Sequence, residues 1–431
     1  MKGVVVRAVG IERGECPRDA EGSARLIPIA SKAWPLVPLR DLCIPRTGVR
    51  NPGDRPDDTF RYVDISAVDN DRKRITAPQT LLGRDAPSRA RNVLRARDVV
   101  VSTTRPNLNA VALVPEDLDD QICSTGFCVL RAGPRIVPEY LFAFVRSPAF
   151  VAPLTELVKG ALYPAVNDGQ VLALEITLPP LEEQERIAGR LMEQLAAVER
   201  ARAAAQSRLA AAKALPAAYL REVFEGPEAN GWEIVEVRDF AEVCGGLQKQ
   251  PKRSAHSFHR PYLTVRNVQR GLLDLSHIER FEITPGELER LRLEAGDILI
   301  VEGNGSPDQI GRNAVFELDG EEWIHQNHII RVRLSERADH QFVSRYLNSD
   351  AGRGQMLERA RSTSGLYTLS VDKVNSLEVP LPPLPDQYRI AADLSQRIAA
   401  AERLIEILKS EITAIEALPA ALLRDAFFRP E

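Results

Sequence analysis

Leu178-Pro-Pro-Leu-Glu-Glu-Gln-Glu-Arg-Ile-Ala188 returns as Leu381-Pro-Pro-Leu-Pro-Asp-Gln-Tyr-Arg-Ile-Ala391. The offset of 203 residues holds without a gap as far as Phe224 and Phe427. Leu215-Pro-Ala-Ala218 matches Leu418-Pro-Ala-Ala421, and roughly half of the aligned positions are identical. A repeat of this length organises a whole chain rather than one element. In the second copy Ile390, Leu394, Ile398, Ala401, Ile405, Leu408, Ile412 and Ile415 recur at steps of three and four. That is the apolar seam of a coiled-coil helix. The first copy gives Ile187, Leu191, Leu195, Val198, Ala205 and Leu209, with Arg202 interrupting the stripe. Paired prolines open each helix, and Glu182 and Glu183 suit the positive end of its dipole. Pro216 and Pro419 are expected to end or kink the helices. Each helix then has about 30 residues, or about 45 Å. Two matching helices in one chain would most simply pack against each other.

A fainter likeness extends ahead of each copy. Trp34-Pro-Leu-Val-Pro-Leu-Arg-Asp41 pairs with Trp232-Glu-Ile-Val-Glu-Val-Arg-Asp239, and Tyr62-Val-Asp-Ile65 with Tyr262-Leu-Thr-Val265. Arg97-Asp-Val-Val-Val101 pairs with Gly296-Asp-Ile-Leu-Ile300, and Asn109-Ala-Val111 with Asn313-Ala-Val315. The plan is therefore a globular unit, a repeat helix, and both again. Val99-Val-Val-Ser102 and Asp297-Ile-Leu-Ile-Val301 read as buried strands. Residues 140–145 and 342–347 read as short amphipathic helices. The expected fold class is α+β: an N-terminal extension at 1–33, globular domains at 34–177 and 231–380, and repeat helices at 178–230 and 381–431.

The 431 residues fit two to three domains. No apolar run is long enough to span a bilayer, and the first residues lack the apolar core of a secretory signal. The five cysteines form no CxxC pair and read as reduced thiols of a cytoplasmic protein. Net charge is −4, which alone disfavours a polyanionic partner, but the distribution is uneven. Residues 248–273 carry six basic side chains (Lys249, Lys252, Arg253, Arg260, Arg266 and Arg270) and no acid. Residues 40–106 carry 14 basic against 9 acidic. Such patches suit a phosphate-contacting face.

Catalytic signatures are missing. Gly303-Asn-Gly-Ser-Pro-Asp-Gln-Ile-Gly311 has glycines but no phosphate-binding lysine. There is no GxSxG, HExxH or Asn/Asp-Pro-Pro-Tyr. His325 and His328 have no evident acidic partner and read as surface or loop histidines. A binding subunit is expected rather than an enzyme, without cofactor or metal of its own.

A Leu-Pro-Pro-Leu-x-x-Gln-x-x-Ile helix opening, present twice and each time after a β-rich unit, resembles the specificity (S) subunit of type I restriction-modification systems. Tyr262-Leu-Thr-Val-Arg-Asn-Val268, residues 296–300 and Gly365-Leu-Tyr-Thr-Leu369 are similar to pieces of that family's target-recognition domains. The resemblance covers residues 35–428. It implies that each domain reads one half of a split, asymmetric site on double-stranded DNA while the repeat helices, packed as an antiparallel coiled coil, set the spacing. It also implies two docked methyltransferase subunits, with restriction and translocase subunits joining them. S-adenosylmethionine and ATP would belong to those partners, and the modified base would be an adenine flipped from the stack. By residue type and loop position, DNA contacts are expected at Arg46, Arg50, Arg55, Arg105, Asn107 and Asn109 in the first domain. In the second they are expected at Lys249, Lys252, Arg253, Asn304, Gln309 and Arg312. Ile187, Leu191, Leu195, Ile390, Leu394, Ile398 and Leu408 are expected to pack the helices or dock partners. The competing readings are a scaffold with two protein-binding modules and no DNA role, and a hydrolase built on His325 and His328.

Overall fold

The computed structural model describes residues 34–45, 48–160, 162–248, 258–303, 309–360 and 367–427. The first globular region pairs strand Leu36–Pro38 with Glu175–Thr177, so its beginning and end are tied together. A four-stranded sheet orders Gln79–Leu82, Thr59–Val63, Ile122–Ser124 and Ala90–Val93. A three-stranded sheet places Val99–Ser102 between Phe127–Leu130 and Val111–Leu113. Helices α1 (Pro138–Val145), α2 (Pro148–Leu157) and α3 (Asp168–Leu172) follow, and then the long α4 (Leu181–Phe224).

The second region repeats the plan. Glu233–Glu236 pairs with Glu378–Leu381. Ile298–Val301 lies inside a four-stranded sheet, between Ile329–Leu334 and Asn313–Val315. His259–Leu263 runs parallel to Ile324–His325, as Thr59–Val63 does to Ile122–Ser124. Its helices are α5 (Pro285–Leu291), α6 (His340–Asn348), α7 (Asp350–Ala360), α8 (Val371–Asn375) and the long α9 (Leu384–Phe427).

Both long helices have 44 residues, or about 66 Å at the standard rise. This corrects the expectation of about 30. Pro216 and Pro419 lie inside their helices and end neither. A proline forfeits one hydrogen bond, and burial of Leu220 and Phe224, or of Leu423 and Phe427, holds the turns beyond it.

The chain divides into two compact units. One takes the residues up to Ala203 with those from Thr413 onward, and the other takes Ala204–Ile412. Each unit thus combines one globular region, the start of the helix that follows it, and the end of the other long helix. In the first unit Ile187, Leu191 and Leu195 of α4 share a core with Tyr140 and Phe144 of α1 and with Leu423, Ala426 and Phe427 of α9. In the second, Ile390, Leu394 and Ile398 of α9 share a core with Phe342 and Tyr346 of α6 and with Leu220 and Phe224 of α4. The helices pair antiparallel within these cores. In the second unit Arg208 meets Glu411 and, further along α4, Glu222 meets Arg397 nearer the start of α9. In the first, Arg202, which interrupts the apolar stripe, faces Glu416 across the helix pair at 3.8 Å.

The central strand of each unit is buried on both faces, which explains its unbroken apolar run. Val99 and Val101 face the helix-bearing core, while Val100 faces a second core with Val63, Ala112 and Phe127. Ile298 and Ile300, against Leu299 and Val301, divide in the same way.

The glutamine of the repeated motif joins the globular region to the helix. Gln184 is fully buried. Its Oε1 accepts from the Val137 amide at 2.9 Å, and its Nε2 donates to the carbonyls of Pro179 and Arg135. Gln387 does the same with the Asp339 amide, at 2.8 Å, and the carbonyls of Pro382 and Arg337. Val137 and Asp339 are the N-caps of α1 and α6. A leucine in place of Gln184 would leave these buried partners unsatisfied, so Gln184→Leu is expected to lose about 1–3 kcal/mol. A fall in the urea midpoint at unchanged m-value is the reading; an unchanged midpoint would count against the joint.

Candidate nucleic-acid interface

The basic surplus of residues 40–106 is largely matched by acids from outside that window. Arg50 pairs with Asp120 at 2.7 Å, Arg61 with Asp117, Arg95 with Asp119 and Asp120, and Arg97 with Glu139. The Arg50 guanidinium holds the Asp120 carboxyl below the usual carboxylate range. Arg50 is therefore engaged within the domain. Arg55 is exposed, with Asp58 3.8 Å away.

Arg105 and Asn107 are exposed on a turn whose two flanking residues, Arg105 and Asn109, have φ of 48° and 47°. Side chains other than glycine rarely adopt this left-handed backbone, and such strain gathers at functional sites. The Arg105 amide donates to the Pro164 carbonyl at 2.8 Å. That contact brings up the loop carrying Leu162 and Tyr163, which are 87% and 86% exposed. An arginine, an asparagine and a bare tyrosine thus stand on adjoining loops. The reading from sequence missed Leu162 and Tyr163, because only the bridge between Thr104 and Ala165 places them beside Arg105. Asn109 sits at the inner end of the turn, and its carbonyl accepts from Lys73 Nζ at 2.6 Å.

In the second unit Lys249, Lys252, Arg253 and Asn304 lie outside the described residues, as does Arg46 in the first. Gln309 is half-buried. Arg312 points inward. Its Nη1 donates to Gln269 at 3.1 Å and its Nη2 to the Val265 carbonyl at 3.0 Å, so it braces a loop rather than facing solvent. Burial lowers its pKa. Within the basic stretch, Arg260 pairs with Glu322 at 2.7 Å and lies over the Phe258 ring. A bridge between Gly303 and Thr368 joins the same two chain regions as the Thr104 bridge does in the first unit.

The histidines part company. His325 is fully buried, which corrects its reading as a surface or loop residue. Its Nδ1 lies 3.0 Å from the Ile329 carbonyl, and burial pushes its pKa down to about 4. His328 is exposed and has an acidic partner that the sequence did not reveal, Glu302, at 3.1 Å. Among the described residues no group of three or more His, Cys, Asp or Glu is placed to hold a metal ion. Cys43, Cys123 and Cys128 are buried free thiols with raised pKa values.

All seven expected seam residues are buried. The exposed apolar side chains of α9 include Leu404, Ile407 and Leu418. Among the described residues no helix is long and apolar enough to cross a membrane.

Two β-rich modules, each locked to a paired helix, define a tandem recognition architecture. Residues 229–416 match the family described as the type I restriction modification DNA specificity domain. The specificity subunit of the type I restriction enzyme EcoKI, from Escherichia coli strain K12, is 26% identical over 319 residues. These span 71% of this chain and 68% of the relative. The StySPI specificity subunit from Salmonella potsdam is 24% identical over the same shares. Among solved structures, the HsdS subunit from Thermoanaerobacter tengcongensis is 31% identical with a TM-score of 0.67, over 92% of this chain and 96% of that one. A chain solved in work on complex assembly and conformational transition of the type I R-M system is 30% identical with a TM-score of 0.73, over 92% and 98%. The chain belongs to the specificity subunits of type I restriction-modification systems, and its role is DNA sequence specificity.

Proposed function

We propose that the two recognition domains each read one half of a bipartite, asymmetric site on double-stranded DNA. The long helices α4 and α9 set the gap between the halves at about one duplex turn, so that both readers meet the same side of the helix. Two methyltransferase subunits dock on this frame, and the restriction and translocase subunits join them. The chain itself is non-catalytic and cytoplasmic, and S-adenosylmethionine and ATP are held by its partners. One observation carries this reading: two units share one set of structural joints, while their loops differ in sequence. Equal joints suit equal placement, and unequal loops suit unequal half-sites. The exposed Leu404 and Ile407 on α9 offer apolar surface for a partner.

The test is the adenine methylome of the source cells with and without the gene. One split, asymmetric motif should lose its methylation on deletion. If every motif persisted in cells whose methyltransferase partner is expressed and active, the reading would fail.

In the first domain Arg105 and Asn107 are the proposed base readers, with Tyr163 stacking beside them. Arg105→Ala is expected to weaken binding of the assembled complex to its cognate duplex by about 1–3 kcal/mol. Anisotropy titrations over a salt series separate its roles. A loss confined to the cognate sequence marks base reading, whereas a uniform loss with the salt slope reduced by about one marks a phosphate contact. Unchanged affinity and slope would remove Arg105 from the interface.

A further inference from the structure

The first unit contains a cleft of about 1010 Å³ between the hairpin at residues 68–75 and the α4–α9 pair. Two cations enter it from different elements. Lys73, at a left-handed turn position (φ 54°), reaches inward to the Asn109 carbonyl. Arg146 caps the C-terminus of α1 with its guanidinium 5.1 Å from the centre of the Phe142 ring. Its Nε is buried without a hydrogen-bond partner.

No carboxylate among the described residues lies within ion-pair distance of either cation. Asp69 accepts from the amides of Asp71 and Arg72 and so closes the hairpin turn. Glu199 acts on Arg146 only at longer range, and lies 4.0 Å from Arg202. Asp71 and Asp69 act on Lys73 in the same distant way, while Arg74 adds repulsion at Arg146. Desolvation, with repulsion from Arg146, pushes Lys73 down to about 8, and desolvation, with repulsion from Arg74, pushes Arg146 down to about 10. Half-buried charge without a carboxylate partner is costly and calls for an explanation.

The joint itself does not require the cations. In the second unit the Asn313 carbonyl, which corresponds to that of Asn109, accepts from the Gly271 amide at 2.8 Å and from Asn348 Nδ2 at 3.2 Å. Neutral groups therefore satisfy that carbonyl there, with the Arg345 guanidinium beside Gly271 in the same cleft. The second unit's own cleft presents Arg345, whose pKa burial lowers although Glu402 and Glu317 favour its charge.

We propose that the Lys73–Arg146 pair forms an oxyanion site that takes a phosphate group. Two cationic donors on one cleft match such a group. The apolar wall formed by Leu113, Met192 and Leu195 leaves room for the body of a phosphorylated molecule. The phosphate could belong to a small molecule or to a nucleic-acid backbone. The site does not depend on which bases the recognition domains read.

Calorimetric titration of the full chain with inorganic phosphate, at ionic strength fixed with chloride, tests this. One saturable site is expected. Lys73→Met, which keeps the aliphatic stem, should weaken it about tenfold or more, since a charge-assisted hydrogen bond contributes about 1.5–3 kcal/mol. Lys73→Arg should restore it to within a few-fold. Sulfate, whose charge is constant in this range, should bind less tightly as pH rises through about 8 and Lys73 loses its proton. Repeating the phosphate titration with a short duplex present separates the sources. Displacement assigns the site to backbone phosphate, and undiminished binding assigns it to a small molecule. No saturable binding, or equal binding by the parent chain and a folded Lys73→Met, would overturn the proposal.

Discussion

Phe427→Ala is expected to destabilise the first unit by about 3–5 kcal/mol while leaving the second nearly untouched. Phe427 is buried four residues from the end of the chain. Its ring lies 5.3 Å from that of Tyr140 and 5.5 Å from that of Phe144, both on α1. The alanine would remove a large apolar side chain and both aromatic contacts, which add about 0.5–1.5 kcal/mol per pair. A domain's whole stability is about 5–15 kcal/mol, so the loss would be a large part of it. Hydrogen exchange gives the local reading. Amides of α1, among them Leu141 bonded to the Val137 carbonyl, should lose protection, and those of α6 should keep it. Phe224→Ala should give the mirror image, because Phe224 lies 5.4 Å from both Phe342 and Tyr346. Equal loss of protection in both units from either substitution would refute this assignment.

The second large effect is expected at a buried ion pair found once in each unit. Asp98 is 1% exposed and accepts from Arg131 Nε at 2.8 Å, Arg131 Nη2 at 2.7 Å and the Arg95 amide at 2.8 Å. Asp297 accepts from Arg333 Nε, Arg333 Nη2 and the Glu294 amide, each at 2.7 Å. Both carboxylates follow a residue with positive φ, Arg97 at 68° and Gly296 at 95°. Asp98→Ala would strand the Arg131 guanidinium in a mostly buried setting and is expected to cost about 3–5 kcal/mol. The double variant Asp98→Ala/Arg131→Met should recover much of that, because it removes the stranded charge as well. Urea unfolding of both variants decides. A double variant no more stable than the single one would show that the carboxylate's amide contact, and not the charge pair, carries the effect.

The residues differ in how openly they declared their roles. The seam of α9 was legible because its apolar steps follow the helix period. Val99-Val-Val-Ser102 was legible because a strand covered on both faces must be apolar throughout. Helix length was misread at Pro216 and Pro419, since the side chains that hold the last turns lie beyond the prolines and pack on distant elements. The basic surplus at residues 40–106 was misread for a related reason. Arg50 and Asp120 are 70 positions apart, so a count over a local window includes the cation and misses its partner. Gln184 and Gln387 were visible as part of a repeat, yet the bonds that join helix to globular region go to backbone groups more than 45 residues away. Tyr163 carried no signal, because only folding places it beside Arg105. Arg46, Lys249, Lys252, Arg253 and Asn304 lie outside the described residues.

The sharing of α9 between the units also bears on synthesis. A ribosome makes the chain from its N-terminus, and domains usually fold in that order. Here the first globular region needs Leu423, Ala426 and Phe427 to complete its core, whereas the second unit ends at Ile412. The half made first is therefore the half that closes last. Until the final turns of α9 have left the ribosome, the nascent chain carries the uncovered apolar faces of α1 and α4, and chaperones have their longest opportunity to bind there.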